Sequence, residues 1–99
     1  LIAKSIRYLA GRLLRARTNR KSETLGCTRD ELLSYLRGKF QPGMNEKNYG
    51  CKKGTWQFHH IRPLKNFDLR DENQKRIAAH YTNLQPIWLE QHIRLHSGN

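Results

Sequence analysis

Apolar residues open the chain at helical spacing: Ile2, Ile6, Leu9 and Leu13 fall on one face, and Tyr8, Leu14 and Ala16 widen the stripe. This predicts an amphipathic helix from Leu1 toward Arg20, followed by a polar loop over Thr18 to Gly26. Thr28-Arg29-Asp30-Glu31 matches a capping box, in which the Thr hydroxyl and the Glu carboxylate each accept a backbone N–H of the other. Leu32, Leu33, Leu36 and Phe40 continue at helical spacing, so a second, short helix is expected. Gln41 to Gly54 holds Pro42, Gly43, Asn45, Asn48, Gly50 and Gly54, a turn-rich segment expected to wrap the surface. Trp56 to Ile61 has the aromatic and β-branched content of a strand, stopped by Pro63. A polar connection follows, with a short helix near Asp71 to Ala79. Tyr81 to Trp88 is a second extended stretch interrupted by Pro86, and Leu89 to Leu95 a last helix. The fold class is α+β.

Size and charge narrow the class further. A chain of 99 residues forms one small domain that buries only ~60–65% of the surface its unfolded form exposes. No window approaches the roughly 18 consecutive apolar residues of a membrane span, and the start lacks the apolar run and cleavage site of a signal peptide. A soluble intracellular protein is expected. The chain starts on Leu1 rather than Met, so the expectation is also a piece of a longer polypeptide. Lys plus Arg number 19 against 8 Asp plus Glu, a formal +11, the field of a polyanion-binding surface with nucleic acid as the leading partner. The densest block of one sign runs from Lys4 to Lys21 and includes Arg7, Arg12, Arg15, Arg17 and Arg20 with no acid. Such a block is either the solvated face of a core-packing helix or a phosphate-tracking arm, and one helix can be both. Cys27 and Cys51 are too few for a disulfide scaffold or a four-cysteine zinc site.

Histidine placement carries the chemistry. His59 and His60 are adjacent at the end of the first strand, so their side chains point to opposite faces, and one can bind a metal while the other faces a substrate. His92 and His96 are four apart on the last helix, on one face and about 5–6 Å apart at Cβ. Such a pair can grip one ion or be ordinary surface residues. Trp56, Trp88, Tyr49 and Tyr81 are expected to pack, and His80 to be a packing or surface residue.

The order His59-His60, then Asn83 in Asn-Leu-Gln-Pro, then His92 and His96 resembles the His-Asn-His (HNH) nuclease family. The flanking Trp56-Gln57-Phe58-His59-His60-Ile61-Arg62-Pro63-Leu64 and Tyr81-Thr82-Asn83-Leu84-Gln85-Pro86-Ile87-Trp88 are similar to the phage and bacterial versions, and so are Leu25-Gly26-Cys27-Thr28, Phe40 to Asn45 and Asn48-Tyr49-Gly50 upstream. The resemblance covers residues 23–99, behind a basic N-terminal helix over 1–22. It implies a small ββα-metal (His-Me finger) fold with N-terminal helices, the core spanning about residues 55–97 of a single compact domain.

It also implies roles. His60 looks like the general base, His59 and His92 match metal-ligand positions, and His96 matches an additional histidine of bacteriocin-type members. Asn83 matches the residue whose amide bonds across the loop and fixes the base, and Arg62 is either a phosphate clamp or an exposed counter-charge. Many members have Asp where this chain has His59; an all-nitrogen set favours Zn, Ni, Co or Mn over Mg. The 22 residues between His60 and Asn83 exceed those of compact members and are absorbed by the Asp68 to Ala79 stretch. The implied activity is metal-dependent nicking of double-stranded DNA to 5′-phosphate and 3′-hydroxyl ends, by a cytoplasmic, phage- or bacterially encoded monomer or weak dimer. Arg12, Arg15, Arg17, Arg20 and Lys21 would grip phosphates away from the cut. The alternatives are a non-catalytic zinc-stabilised DNA-binding module, in which His59, His92 and His96 hold a structural ion, and a bacteriocin-type nuclease domain.

Overall fold

A computed structural model describes the backbone of residues 2–97 and the side chains of residues 4–94. Four helices, α1 (Ile2–Leu14), α2 (Arg29–Arg37), α3 (Glu72–Ala79) and α4 (Leu89–Ser97), surround two strands, β1 (Trp56–His60) and β2 (Leu84–Trp88). The strands pair antiparallel in the register Trp56↔Trp88 to His60↔Leu84. Pro86 is tolerated opposite Phe58 because each strand of a two-stranded sheet is an edge. The architecture is α+β, and no described helix is long and apolar enough to cross a membrane.

Local signals set several of these elements. In the capping box, Glu31 N–H donates to Thr28 Oγ1 at 3.2 Å and Thr28 N–H to Glu31 Oε1 at 2.9 Å, starting α2 where the sequence places it. Asp71 caps α3 by accepting the Asn73 N–H at 2.9 Å. Two boundaries differ from expectation. α1 ends at Leu14, well short of Arg20: the Ala16 N–H bonds Leu13 O in a tightened turn, and the Arg29 guanidinium donates to Leu14 O at 3.0 Å. A cation on the terminal carbonyls caps the helix and complements its dipole. Tyr81–Asn83 forms a 3₁₀ turn rather than strand, because the His80 side chain accepts the Thr82 N–H and satisfies the backbone there. His80 is thus a packing residue. Its ring also lies where a Cβ of Gly26 would be, and Gly26 has φ +76°, so only glycine suits that position.

The core is one cluster that joins Ile6, Ala10 and Leu14 of α1, Leu32 and Leu36 of α2, Leu25, Cys27 and Met44 from loops, and Trp56, Phe58 and Leu84 of the sheet. The buried stripe of α1 therefore runs at four-residue steps, rotated from the predicted one; Leu9 is 37% and Tyr8 64% exposed. Tyr49 decides that rotation. Its ring packs on Trp56 and Phe58 at centroid distances of 5.0 and 5.3 Å and sits directly on the backbone of Gly11. Burial pushes the Cys27 thiol up to about 11, as befits a packing residue. The turn-rich segment is less superficial than expected: Met44 is buried and Asn45 O accepts the Trp56 indole N–H at 2.7 Å.

Gly11→Ala tests the Tyr49 contact. Alanine favours helix over glycine by about 1 kcal/mol, yet the new Cβ would overlap the Tyr49 ring end, and overpacking typically costs about 1–3 kcal/mol. Net destabilisation is expected in a urea melt, with partial recovery when Tyr49→Phe removes the phenol oxygen. A stabilised Gly11→Ala protein would show that the ring is not held there.

Candidate functional site

β1 alternates, with Trp56, Phe58 and His60 buried and Gln57 and His59 half-buried on the other face. Because Tyr49 bridges Phe58 to Gly11, α1 covers the His60 face. On the opposite face the His59 ring meets His92 of α4, centroids 5.6 Å apart and rings nearly perpendicular at 84°. The last β1 turn of chain thus carries one imidazole toward each helix. Nδ1 of His59 and Nδ1 of His92 are both buried. Two such imidazoles from neighbouring elements can supply two nitrogen ligands to a divalent ion. Among the described residues no group of three His, Cys, Asp or Glu is placed to hold a metal; the side chain of His96, one helical turn beyond His92, lies outside the described residues.

His60 is buried at 7% exposure, and its Nε2 has no hydrogen-bond partner among the described residues. Burial pushes its pKa down to about 4, with the charges of Arg7 and His59 adding in the same direction. The imidazole is therefore neutral at physiological pH and can accept a proton.

Asn83 locks the backbone just beyond His60. Its Oδ1 accepts the Arg62 N–H at 2.9 Å, and its Nδ2 donates to Arg62 O at 3.2 Å and Ala78 O at 3.1 Å. Its own carbonyl accepts the Ile61 N–H at 2.8 Å. One buried amide ties the end of β1 to the end of α3 across the long connection. Tyr35 of α2, which sequence patterning does not single out, secures the other side: its hydroxyl donates to Leu84 O at 2.7 Å. α4 is aligned by Gln91, whose Oε1 accepts the Trp88 N–H at 3.0 Å and whose amide pairs with Gln41.

The positively charged candidates divide. Arg62 is exposed, but its guanidinium lies 4.1 Å from the centroid of Phe67 and donates to Asn66 O at 2.8 Å, so it braces the turn after β1. Arg12, Arg15, Arg17, Arg20 and Lys21 are all exposed. Arg15 lies 4.8 Å over the Tyr49 ring, while Arg17, Arg20 and Lys21 sit in the loop after α1. The residue that sequence reasoning left among the general basic block is Arg7, whose charge reaches His60. Nothing in the local sequence signals this, since the two are far apart in the chain and meet only when α1 docks on β1.

No family model matches this chain, and no solved structure matches it. It is similar to "Uncharacterized protein L246" of Acanthamoeba polyphaga mimivirus, with 32% identity over 85 residues, which make up 85% of this chain and 35% of that protein. The chain thus spans about a third of the length of this relative.

Proposed function

We propose that this protein is an HNH-type, metal-dependent endonuclease that nicks duplex DNA, built on a ββα-metal core. The observation that carries this reading is the split of the two adjacent histidines: His59 pairs with His92 on one face of β1, and His60 stays neutral on the other with a buried Nε2 that has no hydrogen-bond partner among the described residues. A histidine whose nitrogen is buried without a partner costs stability, and such costs concentrate at functional sites.

His59 and His92, with His96, would hold the divalent ion; when bound, it supplies positive charge for the phosphate and the departing oxygen. Everything else falls to the chain's own residues. His60 accepts a proton from a water, the water oxygen bonds to phosphorus, and the bond from phosphorus to O3′ breaks. The O3′ takes a proton from solvent, leaving a 5′-phosphate and a 3′-hydroxyl. Asn83 keeps the end of β1 from drifting, so that the base holds its line to the phosphate. One centre cuts one strand, so nicking is the product of a monomer.

Supercoiled plasmid incubated with Mg, Mn, Ni, Co or Zn is expected to convert to nicked circles with at least one ion, and EDTA to stop it. The all-nitrogen set favours a transition metal over Mg. A protein that shifts the plasmid on a gel but leaves it supercoiled under every ion would instead be a zinc-stabilised DNA-binding module.

A further inference from the structure

The nuclease reading leaves open where the strand to be cut lies. Between α1 and β1 runs a furrow of about 320 Å³, lined by Lys4, Arg7 and Arg15 on one side and by Tyr49, Gln57 and Phe58 on the other. No carboxylate is among its described lining residues. Gathering three cations around one concavity is unfavourable by itself and becomes favourable when a polyanion lies between them. Arg15 is held over the furrow by its stacking on Tyr49 and by a 3.3 Å bond from its guanidinium to Tyr49 O. The depression continues along α1 past Tyr8 and Arg12.

The furrow reaches the strand that carries the candidate base. Phe58 lines it, and His60 is the next residue on the same face of β1. From Lys4 to Arg15 the chain advances about 16 Å along a helix axis, the rise of about five nucleotides of one strand. We infer that this furrow seats the phosphate backbone of the scissile DNA strand, Arg7 binding the phosphate beside His60 and Lys4 and Arg15 binding its neighbours. The inference rests on the nuclease reading and moves α1 from a remote grip to one wall of the site.

The test uses a 20-base-pair DNA duplex titrated by fluorescence anisotropy across a salt series in EDTA, alongside plasmid nicking with the most active metal. Each phosphate contact removed should lower the slope of log affinity against log salt by about 0.9. Arg7→Gln and the exposed Lys4→Gln are each expected to do so, while Lys75→Gln on α3 leaves the slope unchanged. Arg7→Gln should also slow nicking at saturating DNA about 10²-fold, with Arg7→Lys recovering part. Unchanged slopes for both furrow variants in a protein that cuts overturn the furrow and leave the nuclease reading standing. An equal fall for Lys75→Gln also overturns it, because net charge alone would then explain the loss. Slopes that fall in a protein that cuts nothing support the furrow as a DNA-backbone site and overturn the nuclease reading.

Discussion

His60→Leu is expected to lower the nicking rate about 10²–10⁴-fold, the usual contribution of a general base, without loss of thermal stability. The second half of that expectation separates a base from a structural histidine. His60 is 7% exposed, shares its face with Trp56 and Phe58, and its Nε2 has no partner among the described residues. An apolar side chain of similar size would bury the same surface and remove an unsatisfied polar atom, a change that is often neutral or stabilising. Activity and stability therefore move independently, as expected where function is kept at the expense of packing. The check is a thermal melt beside a single-turnover nicking assay. A variant that loses stability and activity together would assign His60 to the core, and one that cuts normally would remove it from the chemistry.

Asn83→Ala is expected to act in the opposite way, destabilising the fold as well as slowing the reaction. The amide makes three bonds to backbone groups of Arg62 and Ala78, and alanine strands them. Each buried polar group left without a partner costs about 1–3 kcal/mol, so a loss of about 2–4 kcal/mol is expected. For a domain of this size that lowers the melting temperature by roughly 8–30 °C. Asn83→Asp should do no better, since a carboxylate cannot donate to Arg62 O and Ala78 O and would place its charge against both carbonyls. A melt measured for both variants, with nicking assayed well below their midpoints, gives the result. An unchanged melting temperature for Asn83→Ala would show that these bonds are replaceable, and full activity would show that the end of β1 needs no anchor.

Two features were legible for a simple physical reason: they depend on residues close together in the chain. The capping box joins Thr28 to Glu31 within one turn, so its geometry follows from spacing. The opposed directions of His59 and His60 follow from the period of a strand, whatever packs on it. The end of α1 was not legible, because it is made by the Arg29 guanidinium reaching back to Leu14 O from beyond the loop. Nor was the face that α1 buries. Leu9 and Leu13 fit a helical stripe as well as Ala10 and Leu14 do, and the choice was made by Tyr49 packing against Gly11.

By itself, then, the sequence determined the order of helices and strands, though not the end of α1 or the start of β2, and the division of two adjacent histidines between the faces of β1, all consequences of backbone periodicity. Tertiary structure alone decided what each histidine meets. α4 brings His92 to His59, and α1 brings the charge of Arg7 to bear on His60. Such meetings depend on how side-chain volumes fit between elements distant in the chain, and local spacing carries no information about that fit.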